Sequence, residues 1–124
     1  MEQTAVKIYD LKKRTYAYAL DVIKFLEELP KDYIAQVVGK QLLRSATSIG
    51  ANVVEAQASP SKKDFANFYN HALKSSNESK FWLGLLGDSG KASSHKVVPI
   101  ANETEELSKI LAERLLTMRG RRKL

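Results

Sequence analysis

The stretch "SIGANVVEAQASPSKKDF", residues 48–65, decides the fold. Ile49, Val53 and Ala56 continue an apolar seam that begins with Ile34, Val38, Leu42 and Ser45, at the steps of three and four that keep one helix face against a core. The seam stops at Ser59-Pro60-Ser61, because proline lacks the N–H that a helix interior needs. A new helix then starts at once. Ser61 is a good N-cap, and Asp64 three positions on completes a capping box. Two long helices joined by so short a connection must lie antiparallel.

In a hairpin that turns near Pro60, residue x of one helix faces about residue 120 − x of the other. Ser45 is then expected opposite Ser75, Ser48 opposite Ala72, and Ala51 beside Tyr69 and Asn70. Small residues face small residues, so "SATSIGA" reads as a flat patch for close backbone approach. Gly50 costs ~1 kcal/mol against alanine inside a helix, which calls for such a packing reason. The same arithmetic puts Asn52 near Phe68 and Glu55 near Phe65, where the Glu55 carboxylate is expected to accept from the free N–H groups opening the third helix.

Outward from this pair, the spacing predicts a first helix over about 10–29, closed by Pro30, and a second over 31–58. A third spans 62–88 with Phe65, Phe68, Ala72, Ser75 or Ser76, Ser79, Leu83 and Leu86 as its seam. After the loop "DSGKASSHK", a fourth covers about 96–119 with Pro99 in its first turn and Gly120 at its end. No repeat, linker or low-complexity tract interrupts the 124 residues. The expectation is one all-α domain, residues 1–124, built as an antiparallel up-and-down four-helix bundle.

Two helices carry more apolar surface than a lone bundle uses. "FWLGLL", Phe81 to Leu86, spreads large apolar side chains over about 200° at ~100° per residue, and Leu20 to Leu29 is as broad. A bundle helix needs a stripe little wider than ~100°. The excess predicts a second buried face and hence a homo-oligomer, with Phe25, Phe81, Trp82 and Leu85 as interface candidates. The bland alternative is that Phe81 or Trp82 caps the end of the bundle.

The net charge is +6 and unevenly placed. Residues 1–60 hold eight Lys/Arg against seven Asp/Glu, and residues 61–124 hold twelve against seven. Lys40 and Arg44 lie four apart on one helix face, Lys62 and Lys63 open the third helix, and Arg114, Arg119, Arg121, Arg122 and Lys123 crowd the last stretch. These nine are the candidate phosphate contacts for RNA or DNA. Cations at a helix C-terminus also complement its dipole, which is the bland reading of the same cluster. No module that reads base sequence accompanies them, so binding would follow backbone and shape.

Catalytic signals are sparse. The absence of cysteine excludes disulfides, zinc ribbons and thiol catalysis, and points to a reducing compartment. Neither His71 nor His95 follows a glutamate by three, so the Glu-x-x-His pairs of di-iron bundles are absent, and His71 reads as a hydrogen-bonded structural histidine. No Walker loop, nucleophile elbow or calcium loop occurs. No apolar run reaches the ~20 residues of a membrane span. The start "MEQTAVKIYD" lacks the order of a signal peptide. The expectations are therefore no enzyme, no cofactor, no metal, no membrane and a cytoplasmic setting.

"RTYAYALDVIKFLEELP", "QLLRSATSIGANVVEAQASPSKKDF" and "ALKSSNESKFWLGLLGDSG" resemble successive blocks of the bacterial four-helix proteins known as 23S rRNA intervening-sequence proteins. The likeness runs from about residue 9 to 118. It is carried by Arg44-Ser45, Ser48, Ala51-Asn52, Glu55, Ser61 to Phe65, Asn77-Glu78 and Trp82-Leu83, in that order. Many relatives have glycine soon after that glutamate, where this chain has Ala56-Gln57. The resemblance implies a bundle protomer assembled into a pentameric ring. It also implies nucleic-acid binding, as in the related accessory protein of diversity-generating retroelements, which also binds a reverse transcriptase. No motif of the family marks a catalytic residue. The alternative that it leaves open is a protein-interaction scaffold docking a partner such as a reverse transcriptase.

Overall fold

The computed structural model describes residues 10–123, with side chains described for residues 10–120. Four helices account for nearly all of it: α1 (Leu11–Glu27), α2 (Tyr33–Gln57), α3 (Lys62–Asp88) and α4 (Ser94–Lys123). Each of the first three starts on a side-chain cap. Asp10 accepts from the Lys13 N–H, Asp32 from that of Ala35 at 2.8 Å, and Ser61 from that of Asp64 at 3.1 Å. Gly90, at φ +78°, supplies the left-handed residue after α3, and the Ala92 N–H then returns to the Leu86 carbonyl.

The fourth helix departs from expectation at both ends. It begins at Ser94, which makes Pro99 its sixth residue and puts it beyond the first turn. It also continues through Gly120 to Lys123. A single glycine costs only ~1 kcal/mol in a helix interior, which weakens a helix without ending it.

Consecutive helices pack side by side, α4 returns to α1, and α2 against α3 is the most extensive pairing. This is the up-down-up-down square bundle. Its core includes Leu11, Tyr18, Val22 and Phe25 from α1, and Leu42, Ile49 and Val53 from α2. Tyr69, Leu83 and Leu86 from α3, with Leu107, Leu111 and Leu115 from α4, complete the interior.

The α2–α3 register differs from the expected one by about a helical turn. Ser45 meets Ser79 at 2.8 Å, not Ser75, and Ser48 meets Ser75 at 3.0 Å, not Ala72. The cause is the lean of every side chain toward its own helix N-terminus. In antiparallel helices the two leans oppose, so the residues that touch lie further from the turn than the backbone midpoint implies. A smaller offset of the same sign occurs where Ser76 meets Ser108 across α3 and α4.

Gly50 serves a different neighbour from the one expected. A Cβ there would sit 3.0 Å from Thr15 Oγ1 and 3.2 Å from Thr15 Cβ, so the close approach is to α1 and not to α3. Gly39 repeats the device lower on α2, where a Cβ would come within 3.0 Å of Leu29 Cδ1. Ile34, placed on the core seam by its spacing, is exposed, and Ala35 takes the buried position. Close to the turn, Glu55 is exposed and its carboxylate accepts no hydrogen bond among the described residues; the Ser61 side chain caps α3. Asn52 turns back on its own helix, donating to the Ser48 carbonyl at 2.8 Å.

Candidate functional site

The bundle has two ends. One gathers the start of α1, the α2–α3 turn and the last turns of α4; the other holds the α1–α2 and α3–α4 connections. Lys62 and Lys63 are the first two residues of α3 and both are exposed. Arg119 on α4 is exposed, and the pairing of Tyr69 with Arg114 brings it level with the first turn of α3. These three cations therefore share one end of the molecule. The backbone N–H groups of Lys62 and Lys63 belong to the helix's first turn, where no intrahelical acceptor exists, and add to the positive potential there. Asp64 offsets part of it. The side chains of Arg121, Arg122 and Lys123 lie outside the described residues.

The remaining candidates are elsewhere or engaged. Lys40 is exposed, but about 25 Å of helix axis separates it from the end of α2, at 1.5 Å per residue. Arg44 pairs with Glu78 of α3 and also donates to Gln41. Arg114 is half-buried and donates to the Tyr69 hydroxyl at 3.3 Å, while Tyr69 stacks on Phe65 with ring centroids 4.6 Å apart. The i, i+4 spacing that grouped Lys40 with Arg44 carried no information about the acid waiting on the next helix.

Glu78 forms the centre of a small cross-helix cluster, since its Oε2 also accepts from Trp82 Nε1 at 3.0 Å. That hydrogen bond, aided by Arg44, holds the Glu78 carboxyl below its ordinary value of 4.5, against a smaller desolvation penalty. A depressed carboxyl stabilises the folded state above its unfolded pKa, and the contribution is lost as pH falls through the lowered value. Trp82 is the only tryptophan. Its emission is therefore expected to change on acidification with a midpoint below 4.5, while far-ultraviolet circular dichroism stays native. Glu78→Gln should remove that step, and an unchanged profile in the variant would contradict the assignment.

Sequence reasoning missed the polar interior. Tyr18 of α1 shares a 2.7 Å hydrogen bond with Thr104 of α4 and lies beside the Ser79 hydroxyl of α3, which in turn meets Ser45 of α2. One chain of hydroxyls thus crosses all four helices. Burial raises the Tyr18 pKa, with the hydrogen bonds from Thr104 and Ser79 opposing. No buried side-chain nitrogen or oxygen lacks a partner among the described residues. The signal was present as serines and threonines on seam positions, but periodicity alone cannot say which hydroxyl meets which. A forked ion pair was also missed: Arg14 Nε and Nη2 donate to the two carboxylate oxygens of Glu103 at 2.7 and 2.9 Å.

Of the four interface candidates, Phe25 must be corrected. It is 6% exposed and belongs to the protomer's own core, because it falls on the same stripe as Tyr18 and Val22. Phe81 is 58% and Leu85 40% exposed. Trp82 is half-buried and packs edge-on against Phe81 at 5.0 Å. All three lie along the side of α3, so neither aromatic closes off the bundle end. His71 is exposed and has no hydrogen-bond partner among the described residues, contrary to its expected structural role.

A square helix bundle with three exposed cations toward one end and exposed apolar side chains on its flank is the class these features define. Among the described residues no group of three or more His, Cys, Asp or Glu is placed to hold a metal, and no helix is long and apolar enough to cross a membrane. The chain belongs to the 23S rRNA-intervening sequence protein family, whose model matches residues 7–113. It is also similar to a crystal structure of a protein of unknown function from the S23 ribosomal protein family of Bacteroides thetaiotaomicron. The identity is 36%, the match covers 84% of this chain and 96% of that one, and the TM-score is 0.77. No curated protein matches.

Proposed function

We propose that this protein is a non-enzymatic, self-associating polyanion-binding protein that holds RNA or DNA by its phosphates at the basic end of the bundle. The observation that carries the reading is the co-location of Lys62, Lys63 and Arg119, all exposed, beside the open N-terminus of α3. Family membership supports it, through a family named for a segment of ribosomal RNA. The reading narrows the candidate set. Lys40 is remote from that end, Arg44 serves Glu78, and Arg114 supports Tyr69.

The test is a titration of the protein with structured RNA and with duplex DNA at two salt concentrations. Three neutralised phosphates give a salt slope near −2.7, so binding to duplex should weaken about 40-fold between ~50 and ~200 mM salt. Reversing all three charges (Lys62→Glu, Lys63→Glu, Arg119→Glu) should abolish binding and leave the fold intact, since each side chain is exposed. Binding that is indifferent to salt, or unmoved by the triple variant, would refute the assignment. It would favour a second reading, a scaffold for a protein partner, which the exposed Phe81 and Leu85 support.

A further inference from the structure

We infer that the cavity between α1 and α2 binds a free aliphatic anion with a single headgroup, a medium-chain carboxylate, its chain laid along the cavity and its carboxylate at Lys12. The inference goes beyond polyanion binding at the basic end and does not depend on it.

Two packed helices ordinarily fill the seam between them with side chains from both. Here α2 brings Gly50, which meets Thr15 directly, and α1 brings Ala19, so the seam is left underfilled. A cavity of about 370 Å³ remains. Larger apolar groups stand along it and out of the surface: Tyr16, Leu20 and Ile23 of α1 and Val54 of α2 are 38–69% exposed. The sites that take small molecules are concave and mostly apolar, with a few placed polar groups that orient the ligand.

The polar groups here are one-sided. Thr15 donates to the Leu11 carbonyl and Thr47 to that of Leu43 at 2.7 Å, so neither hydroxyl proton is left for a ligand. No acidic side chain lines the cavity, and its one charge is Lys12. Lys12 is the second residue of α1, is exposed, and its ammonium forms no ion pair among the described residues. The unbonded N–H groups of the helix's first turn add to the positive potential there. The cavity of about 430 Å³ between α1 and α4 is the contrast, because its charges are already matched: Lys13 with Asp10 at 3.5 Å, and Arg14 with Glu103 at 2.7 Å.

Shape and charge together select the occupant. About 16 Å of helix axis separates Lys12 from Ile23, at 1.5 Å per residue. The contact of Gly50 with Thr15 sets the register of α1 against α2, and puts Val54 level with Lys12. The cavity is therefore long and apolar, with its cation at one end, which is the complement of a chain with one anionic head. A docked helix would need polar partners along both edges, and a lipid surface would meet convex apolar groups. A recess between two helices takes a single chain.

Isothermal titration calorimetry of the full chain with hexanoate, octanoate and decanoate tests the site. One molecule should bind per chain, tightening about two- to fourfold with each added methylene, since a surface cavity buries part of each. Decyltrimethylammonium, the same chain with a cationic head, should bind about fivefold more weakly than decanoate, the scale of an exposed ion pair. Lys12→Glu should reverse that order. Ala51→Phe puts a ring into the cavity from an exposed position, and should abolish decanoate binding with helical circular dichroism unchanged. Phe81→Ser, which removes an exposed ring from α3, should leave decanoate binding as in the wild type. An affinity indifferent to chain length, a headgroup preference that survives Lys12→Glu, or binding that persists in Ala51→Phe or is lost in Phe81→Ser would each overturn the inference. So would pelleting with phosphatidylglycerol vesicles that Ala51→Phe abolishes, because the cavity would then serve a lipid surface and not a free ligand.

Discussion

Replacing Gly50 with valine is expected to lower the stability of the bundle by about 1–3 kcal/mol, the range for forcing extra methyl groups into a packed contact. The new Cβ would meet Thr15 Oγ1 at 3.0 Å and Thr15 Cβ at 3.2 Å. Thr15 cannot yield. It is 1% exposed, β-branched, and its hydroxyl donates to the carbonyl oxygen of Leu11 at 2.9 Å, with that of Lys12 at 3.1 Å. Moving it would disturb both the α1 backbone and the core. Gly84 is the control, because a Cβ there meets nothing within 4 Å. Gly84→Ala should therefore raise stability by about 0.5–1 kcal/mol, the entropic gain of alanine over glycine in a helix. Urea denaturation of the two variants reads both signs. A tolerated Gly50→Val, within ~0.5 kcal/mol of the wild type, would mean that α1 does not pack against α2 as described.

The second expected result concerns the pair that ties α1 to α4, which otherwise share the smallest helix–helix contact among the neighbouring pairs. Arg14 is 14% and Glu103 31% exposed in their side chains, and both carboxylate oxygens are used. The hydrogen bond to Glu103 is the largest cause of the raised Arg14 pKa, so the guanidinium is charged at every accessible pH. Arg14→Met keeps the apolar stem but leaves the Glu103 carboxylate without its partner, and should cost about 2 kcal/mol. Removing both charges with Arg14→Met and Glu103→Leu should recover most of that loss, because neither group then remains partly desolvated and unpaired. The double-mutant cycle separates this account from a generic packing loss, in which the second substitution would add to the first. A coupling energy near zero would refute it.

The contrast between these two sites shows how much was legible beforehand. The demand for a packing reason at Gly50 follows from helix propensity, so the sequence flags the position. The identity of the partner does not follow, because a helix presents the residue to one of two neighbours and the decision rests on which way the helix is rotated. Arg14 was never flagged, since a single arginine on a polar face looks like any solvated charge until Glu103, distant in sequence, arrives beside it. Of the proposed phosphate contacts, the structure groups Lys62, Lys63 and Arg119, and diverts Arg44 and Arg114 to Glu78 and Tyr69. Charge counting sees sign and spacing along one helix only.

The order of amino acids by itself determined that there are four helices, where three of them start, that they run antiparallel, and that a surplus of apolar surface remains. Those properties depend on local hydrogen bonding, on proline and capping chemistry, and on a period of 3.6, all of which act within a few residues. Only the tertiary structure decided which serine meets which, that Gly50 faces α1, and that Phe25 is interior while Phe81 is not. Such relations depend on the lean of side chains and the rotation of whole helices about their axes. A shift of one residue along a helix turns a side chain by ~100°, which is enough to exchange one neighbour for another.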